Sequence, residues 1–380
     1  MGRGSAPTGT TVGSHEAPRI SAERAEREAQ ALSKALREIN CLEQGAVDAA
    51  IEAVLGTNEA HRIRAANLAC AVSMAACDAA AKVQSIPLFR HVAEISGSNP
   101  GIPDLAINVI GGGGHNMSGA PLTECMLILP KSDPYEMVTA ASSAFMRLTD
   151  LVSQRFGSSA LASGLEGGLT PNLHSIEKTC EILVAAIAGE QMVIGFDAAA
   201  NTLAVPAETE QGTTTYFVDG VTLRGRDLAQ KYLLLKDAYP LGYLEDPFAD
   251  HDLSSWRTLA EDYLPDVGQL GIVADDLTAT DTHRLSELNG TGASFPAHSV
   301  MAKVDQCGTV SRLLRFVQEA QLLGLNIVVS QRSQETDQSF LVDLSVGLGA
   351  QMMKSGCITR ERIVKYNRLL RIGEELSSGR

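Results

Sequence analysis

The feature of this sequence that most constrains its fold is a series of short apolar runs, each of which ends in a polar residue and precedes a helical stretch. The runs are MVIGFD, LGYLE, IVAD, SVMAK, NIVVSQ and AQMMK, ending at Asp197, Glu245, Asp275, Lys303, Gln331 and Lys354. From the second run to the last, the spacings are about 30, 28, 28 and 23 residues, the length of one strand–helix unit. In a parallel barrel the carboxyl ends of all strands lie at one face, so these six side chains are expected to share one mouth. The series predicts an α/β barrel with its active site at that face.

The first hundred residues have a different pattern, without such a series. Residues 1–18 are rich in glycine and threonine and are expected to form a mobile loop. Amphipathic or apolar segments predict four helices, at residues 20–39, 44–55, 61–83 and 86–96. The sequence SGSNPGIPD that follows them is typical of a linker. We therefore expect an N-terminal capping domain at residues 1–100 and the barrel at residues 101–380.

Composition and charge argue against several classes of function. The net charge of −14 disfavours a nucleic-acid or anionic-membrane partner, and no run of about 18 apolar residues predicts a membrane span. Seven cysteines without a CxxC pair, and no signal-peptide pattern, fit a reducing cytoplasm better than a disulfide framework or a zinc site. An anionic substrate would then need a local positive focus, such as a metal ion, arginine or lysine.

Three of the strand-end residues, Asp197, Glu245 and Asp275, are carboxylates on neighbouring units. Oxygen ligands suit a hard cation, and the repeated spacing would bring three of them together, so we predict a Mg2+ site. A single acid at such a position more often caps the following helix. Three acids at a repeated spacing are poorly explained in that way.

Lys303 and Lys354 end two further strands, and Arg332 and Ser333 follow the strand that ends at Gln331. A second lysine and a divalent cation beside Lys303 would lower its pKa by like charge and suit it to act as a base. A salt bridge to the carboxylates of the metal site is the alternative interpretation.

Two glycine-rich segments are candidates for loops that approach a ligand. GGGGHNMSGAPLTE contains His115 and Glu124, and GLEGG places Glu166 among three glycines. Glycine lets the backbone come close to a ligand and lets a lid move. Taken alone, a glycine run is more often a solvated hinge.

Several separate segments resemble signature stretches of the enolase family, in the family's order and over nearly the whole chain. They are PTGTTVGSHEA near the start, NVIGGGGH, GLEGGLTPN, LEDPF at 244–248, VADDLT at 273–278, SQRSQETDQSF at 330–340 and KSGCITRERIVKYNRLLRIGEEL from Lys354. The resemblance implies a modified (β/α)8 TIM-type barrel with a small, mostly helical N-terminal α+β domain. It also implies that residues 5–17 form a mobile loop of the active site.

The resemblance implies a role for each matching residue. The three strand-end carboxylates match the ligands of a tightly held Mg2+, and Thr11 matches the loop ligand of a second Mg2+. Lys303 matches the base that removes the proton α to the substrate carboxylate. Glu166 matches the acid that assists departure of the β-hydroxyl group, with Glu124 beside it. The positions that match substrate contacts are His115, Lys354, Arg332 and Ser333, the last two as a phosphate-binding pair.

The sequence departs from the family at four residues of these motifs. Gln331 stands where enolases have a histidine that contacts the substrate phosphate, and Leu165 replaces an aspartate before the acid. Thr123 replaces the glutamine before Glu124, and Thr11 replaces a loop serine while keeping its hydroxyl group. The family's first strands, which belong to the small domain and its usual dimer contact, have no counterpart in this sequence. The acid and base are therefore intact, whereas the phosphate end has changed.

Three functions are compatible with these residues. The first is ordinary enolase, the dehydration of 2-phosphoglycerate to phosphoenolpyruvate. The second, which the changed phosphate end favours, is a specialised relative resembling carboxyphosphonoenolpyruvate synthase of phosphinothricin-type phosphonate biosynthesis. Its partners would be a small phosphorylated or phosphonylated carboxylate and a nucleotide-activated phosphonoformate. The third is a non-catalytic structural or binding protein, but the base and metal ligands that such a protein would lose are present. The resemblance also predicts a homo-oligomer.

Overall fold

The computed structural model describes residues 1–10, 13–113, 119–205, 213–266, 268–290 and 292–378. Two of the predicted site residues, Thr11 and His115, lie outside the described residues. All the other residues predicted to form the site are described.

The N-terminal part of the chain is a layer of four helices, α1 (Ala22–Ala35), α2 (Gln44–Leu55), α3 (Ala66–Gln84) and α4 (Leu88–Ser96). Helix α1 begins later than predicted because Ser21 is its N-cap, with Oγ accepting a hydrogen bond from the Arg24 amide. Helix α3 also begins later than predicted, because His61 has a positive φ of 57° that a right-handed helix does not allow. The layer therefore contains the four predicted helices, two of which begin later in the sequence than predicted.

Helix α3 is packed inside the protein. Cys70 and Cys77 on this helix are fully buried. The Ser73 hydroxyl accepts hydrogen bonds from the Gln44 side chain at 3.1 Å and from the Val310 amide at 2.9 Å. By length and apolar composition, α3 is the one helix in the described residues that could cross a membrane. Its buried contacts are instead those of a core helix that joins the helical layer to the barrel.

The N-terminal segment runs over α3 and reaches the barrel. A Cβ atom at Gly4 would lie 2.0 Å from the Ala71 carbonyl oxygen, so only glycine allows this close approach. Further on, Thr8 pairs with Gln334 in an isolated antiparallel bridge. Apart from this bridge and one in the α2–α3 connection, the described residues before residue 104 contain no β-pairing.

The remainder of the chain contains eleven strands in its described residues, of which eight close into a barrel. In chain order they are β1 (Asp104–Gly111), β2 (Glu124–Leu129), β3 (Val193–Asp197), β4 (Ala204–Val205), β5 (Thr215–Val218), β6 (Val221–Arg224), β7 (Leu241–Glu245), β8 (Gly271–Ala274), β9 (Ser299–Ala302), β10 (Asn326–Ser330) and β11 (Met352–Ser355). The barrel order is β1-β11-β10-β9-β8-β7-β3-β2, and β4, β5 and β6 form a separate small antiparallel sheet. The series of strand ends predicted β3 and β7 to β11, but not β1, β2 or the small sheet.

Strand β2 makes the barrel a modified one, because it runs antiparallel to both of its neighbours. All the other neighbouring strands of the barrel are parallel. The first residue of β2, Glu124, therefore lies beside the last residues of β1 and β3, Gly111 and Asp197. An acid at the start of a strand thus reaches the mouth where the other strands end.

Helices cover the outside of the barrel: α5 (Pro134–Phe156), α6 (Ile176–Ile187), α7 (Gly225–Ala238), α8 (Leu253–Asp262), α9 (Thr282–Asn289), α10 (Val304–Cys307), α11 (Val310–Leu322), α12 (Phe340–Gly347) and α13 (Ile363–Ser377). An apolar cluster that includes Met126, Tyr243 and Met301 fills the barrel interior, and a larger one lies between strands and helices. All seven cysteines are free thiols. These two apolar clusters hold the strand ends in fixed positions at the rim of the barrel.

Candidate active site

The six polar residues of the strand-end series lie at one mouth of the barrel, as their spacing predicted. Glu245 is fully buried, and the cavity at this mouth is lined by the other five, Asp197, Asp275, Lys303, Gln331 and Lys354. The same cavity is lined by four residues that the family motifs indicated, Glu124, Glu166, Arg332 and Ser333. The fold therefore brings together residues from eight separate segments of the chain.

Lys354 is surrounded by carboxylates. Its Nζ lies 3.0 Å from Glu124 Oε2, 3.2 Å from Asp197 Oδ2 and 2.5 Å from Glu245 Oε2. The Tyr243 hydroxyl also donates to Glu245 Oε2, at 2.6 Å. Burial alone would lower the pKa of Lys354, but the surrounding carboxylates outweigh it and raise this pKa well above its ordinary value. Lys354 is therefore a fixed ammonium group at the floor of the site.

Lys303 forms an ion pair with Asp275 Oδ2, and Gln306 donates to Asp275 Oδ1 at 3.1 Å. The Lys303 amide donates to Thr280 Oγ1 at 3.1 Å, which holds the backbone at the strand end. Burial is the largest single effect on the pKa of Lys303 and lowers it, but the neighbouring carboxylates, Asp275 first, outweigh burial and the net direction is upward. The nearest charge to the ammonium group is a carboxylate rather than the second lysine. The predicted lowering of this pKa assumed a divalent cation beside Lys303 as well, and it stays a prediction.

A second set of acids adjoins Asp275. Oxygen atoms of Asp246, Asp275 and Asp276 all lie within 4.8 Å of one another. Both oxygens of Asp246 accept backbone hydrogen bonds, from the Asp275 amide at 2.9 Å and the Asp276 amide at 2.8 Å. Burial, and then the charge of Asp275, raises the pKa of Asp276 to about 7. Because its oxygens are occupied, Asp246 positions the turn, and Asp275 is the member shared with the predicted ligand set.

Of the predicted Mg2+ ligands Asp197, Glu245 and Asp275, Glu245 has surroundings that favour a cation. Glu245 Oε1 is buried and accepts no hydrogen bond from a described residue. A buried carboxylate oxygen without a partner is costly unless a cation or a proton is nearby. Together with Glu124, these ligands place four carboxylates around the two lysine ammonium groups. Carboxylates therefore outnumber ammonium groups in this set, which favours a bound cation.

Glu166 is held by two amide side chains. Its Oε2 accepts hydrogen bonds from Asn108 Nδ2 at 3.2 Å and from Gln331 Nε2 at 2.6 Å. Gln331 Oε1 in turn accepts from Arg362 Nε at 3.2 Å. A guanidinium group only donates, so Arg362 determines that the Gln331 amide turns its NH2 group toward Glu166. Arg362 also donates to the Leu165 carbonyl at 3.2 Å, so two of the departures from the family motifs contact one arginine.

The expected phosphate-binding pair is in contact with the N-terminal segment. Arg332 Nη2 lies 2.8 Å from Glu16 Oε1, and Nη1 lies 2.8 Å from Asp305 Oδ2. The Ser333 hydroxyl accepts a hydrogen bond from the Thr10 amide at 2.8 Å. The described part of the predicted loop 5–17 therefore packs against the mouth of the barrel.

Comparison with known proteins agrees with this geometry. The family model "Enolase, N-terminal domain" matches residues 1–92, and "Enolase, C-terminal TIM barrel domain" matches residues 101–380. The chain belongs to the enolase family. It is similar to Enolase B of Dictyostelium discoideum, with 32% identity over 357 residues that cover 91% of this chain and 79% of that protein. The prediction of the fold and the resemblance to the family are confirmed, and the chain is an enzyme of the enolase superfamily.

Four residues that position the site of this enolase-family chain were missed by reasoning from the sequence. They are Glu16, Asn108, Asp246 and Arg362. All four lie inside or beside the family motifs, which was the available signal, but none ends a predicted strand. Their function is to hold other side chains, and such contacts depend on segments that are far apart in the sequence.

Proposed function

We propose that this enolase-family chain is a Mg2+-dependent lyase in which Lys303 removes the proton α to the carboxylate of a small phosphorylated substrate. The observation that carries this proposal is the position of Lys303, paired with Asp275 at the rim of the cavity that Glu166 also lines. Bound Mg2+ would supply positive charge against the substrate carboxylate, whose negative charge rises as the α-proton leaves. A lyase of this type needs a base, an acid and this charge in one cavity.

The strand-end carboxylates Asp197, Glu245 and Asp275 would hold one Mg2+, and Thr11 remains the proposed loop ligand of a second. Lys303 must lose a proton before it can accept one from the substrate. Sharing Asp275 with a cation would weaken the ion pair that raises the pKa of Lys303, and so favour the free amine. Lys354, held by its own carboxylates, would remain charged and contact the substrate.

Glu166 is the proposed acid, and its contacts indicate which oxygen would carry the proton. Both amide donors, Asn108 and Gln331, act on Oε2, and no described residue donates to Oε1. A proton on Oε2 would occupy one of the two lone pairs that accept these amide N–H bonds, and would therefore cost at least one of them. The transferable proton is therefore assigned to Oε1.

For the finer function, we propose that the substrate differs from that of ordinary enolase at its phosphorus group. The supporting observation is that both polar atoms of the Gln331 amide are already hydrogen-bonded. Its Nε2 donates to Glu166 and its Oε1 accepts from Arg362. Thr123, another departure, lines the same cavity with a buried hydroxyl that bonds to no described residue. The change suits a specialised relative that replaces the phosphate of a phosphoenolpyruvate-like carboxylate by the carboxyphosphono group of a nucleotide-activated phosphonoformate, to make carboxyphosphonoenolpyruvate with release of inorganic phosphate and the nucleoside monophosphate. Ordinary dehydration of 2-phosphoglycerate is the alternative, favoured by the similarity to Enolase B.

Phosphorus NMR distinguishes the two functions. Purified protein is incubated with Mg2+ and 2-phosphoglycerate, with and without nucleotide-activated phosphonoformate. The specialised function predicts a new phosphonate signal only when both compounds are present. Conversion of 2-phosphoglycerate to phosphoenolpyruvate at a typical enolase rate, unaffected by the phosphonate, would establish the ordinary function instead. Binding of Mg2+ without turnover of either compound would contradict a lyase and favour a binding role.

A further inference from the structure

A second cleft, with a cavity volume of about 170 Å3, lies at the junction of the helical layer and the barrel. We call it the junction cleft and define it by six of its lining residues, His15, His61, Arg62, His283, Arg312 and Arg315. It is separate from the candidate active site, although Gln306 lines the cleft and also donates to Asp275. None of the residues that define it has a role in the proposed reaction.

The cleft is cationic in a chain that has 45 acidic and 31 basic residues. Arg62 pairs with Asp281 at 2.8 Å, and Arg312 pairs with Glu52 at 2.8 Å. Arg315 is exposed and forms no ion pair with a described residue. Three guanidinium groups and two carboxylates leave one positive charge, before any histidine is protonated.

The junction cleft also has hydrogen-bond donors to spare. A guanidinium group has five N–H donors, and three of those on Arg62 are used, by Asp281, the Ser14 carbonyl and His15 Nδ1. Arg312 likewise uses three, two on Glu52 and one on the His61 carbonyl. Because Arg62 donates to Nδ1 of His15, the neutral ring carries its hydrogen on Nε2, which adds another donor.

His61 is held in an unusual conformation at the edge of the cleft. It has a φ of 57°, a left-handed value that costs a residue other than glycine free energy and that concentrates at ligand sites. Its ring stacks on that of His283 with a centroid distance of 5.2 Å and an interplanar angle of 24°. Each of these imidazole rings carries an N–H donor, and arginines lie around the pair.

We propose that the junction cleft binds a small polyanion of the phosphate-monoester or phosphonate class, and that this occupant holds residues 13–17 against the mouth of the barrel. The charge and the unused N–H donors suit phosphate-type oxygens, which accept several hydrogen bonds from arginine. His15 immediately precedes Glu16, whose carboxylate pairs with Arg332 at 2.8 Å. An anion that holds His15 and Arg62 therefore restrains the segment that reaches the expected phosphate-binding pair.

The opposite wall of the cleft is connected to the reacting end of the site. Thr280 donates to Gln306 Oε1 at 2.7 Å and accepts from the Lys303 amide at 3.1 Å. Gln306 also donates to Asp275 at 3.1 Å. Both walls of the junction cleft thus contact residues that position the candidate active site, so the bound anion acts as an effector.

The test is a titration of inorganic pyrophosphate into the full-length, metal-free protein, followed by NMR of the histidine rings. The signals of His15, His61 and His283 are expected to shift along one saturating curve. His91 and His298, which do not line the cleft, serve as internal controls and should not move. Absence of a saturable shift at the three cleft histidines would overturn the proposal.

Two variants make the test specific. Arg315→Glu should weaken pyrophosphate binding by about tenfold or more, because it replaces a charged donor by a repelling carboxylate. The matched charge reversal Arg155→Glu, on the exposed face of α5, should leave the affinity unchanged. His61→Gly should also lower the affinity without lowering the thermal midpoint, because glycine adopts a φ of 57° freely. Equal affinities of Arg315→Glu and Arg155→Glu would contradict the assignment of the site.

Coupling to the mouth is measured by hydrogen exchange of residues 13–17. Pyrophosphate should slow this exchange in the unmodified protein and not in Arg315→Glu. The same exchange rate with and without pyrophosphate would overturn the effector role. These measurements use neither Mg2+ nor substrate, so a failure of the proposed lyase activity would leave their outcome unchanged.

Discussion

At the scale of single residues, the chemistry depends on a few side chains whose states are determined by their neighbours. Gln331 is the clearest case, because Arg362 can only donate and therefore turns the amide group of Gln331 toward Glu166. Lys303 is another, since Asp275 reverses the direction of the pKa change that burial alone would cause. Both effects are contacts between segments that are remote in the sequence.

Replacing Lys303 by alanine should abolish exchange of the substrate α-proton with solvent deuterium, because the proposed base is lost. The measurement is proton NMR of the substrate in deuterated buffer with Mg2+. The control is Lys131→Ala, at an exposed lysine just beyond the end of β2 that lies away from the site. It should support the same rate of substrate α-proton exchange as the unmodified protein. Exchange that persists in Lys303→Ala would remove this residue from the role of base.

Replacing Gln331 by histidine should raise plain dehydration of 2-phosphoglycerate, because it restores an imidazole where enolases have one. Gln331→Met is the matched variant: it keeps the length of the side chain but cannot donate to Glu166, and its sulfur is only a weak acceptor for Arg362. We expect it to lower dehydration by about a hundredfold, the low end of what proton transfer by a positioned group contributes to a rate. If histidine and methionine have the same effect on the rate of phosphoenolpyruvate formation, Gln331 does not determine specificity.

At the scale of secondary-structure elements, the register and direction of strands place the acids. The antiparallel β2 brings Glu124 to the mouth, and the pairing of Asp197 with Glu245 across β3 and β7 brings two ligands side by side. Helix α3 instead connects the helical layer to the barrel, because the Ser73 hydroxyl accepts a hydrogen bond from the amide of Val310, the first residue of α11. The helical layer is thereby attached to the barrel by buried polar contacts as well as by apolar packing.

Ser73→Ala should lower the free energy of unfolding by about 1–3 kcal/mol, because the buried Val310 amide would lose its partner. Urea unfolding measures this change. The control is Ser142→Ala, where the hydroxyl donates to the Val138 carbonyl within the half-buried face of α5. Its loss should cost about 0.5 kcal/mol or less, as for most substitutions near the surface. Equal losses in the two variants would show that the contact between α3 and α11 adds no more stability than a hydrogen bond within one helix.

At the scale of the whole molecule, the chain concentrates buried negative charge at the barrel mouth, and a bound cation should stabilise the fold. At a Mg2+ concentration one hundred times its Kd, the gain is about 2.7 kcal/mol, which raises Tm measurably. Asp197→Asn should reduce this Mg2+-dependent rise, since it removes one proposed ligand. Asp219→Asn, which removes a carboxylate that pairs with Lys231 at 3.0 Å, is the control and should keep the rise. The proposed ligand set is wrong if the rise is the same in both variants.

The sequence by itself determined the repeating strand–helix units, the helical N-terminal layer and the family. Those features depend on local periodicity and on contiguous motifs, which is why Asp197, Glu245 and Asp275 could be placed at strand ends without coordinates. The sequence did not reveal β1, β2 or the small sheet, because none of these strands combines a continuous apolar run with the polar end that marked the other six. The cytoplasmic location, the oligomeric state and the exact bounds of the two domains stay predictions.

Only the tertiary structure decided which of those residues contact one another. Arg362, Glu16 and Asp246 act on the site through hydrogen bonds to partners in other segments, and no spacing in the sequence encodes such a contact. The same is true of the direction of the pKa of Lys303, which depends on how close one carboxylate lies after folding. Electrostatic and hydrogen-bond energies vary steeply with distance, and distance between remote segments is set by packing of the whole barrel.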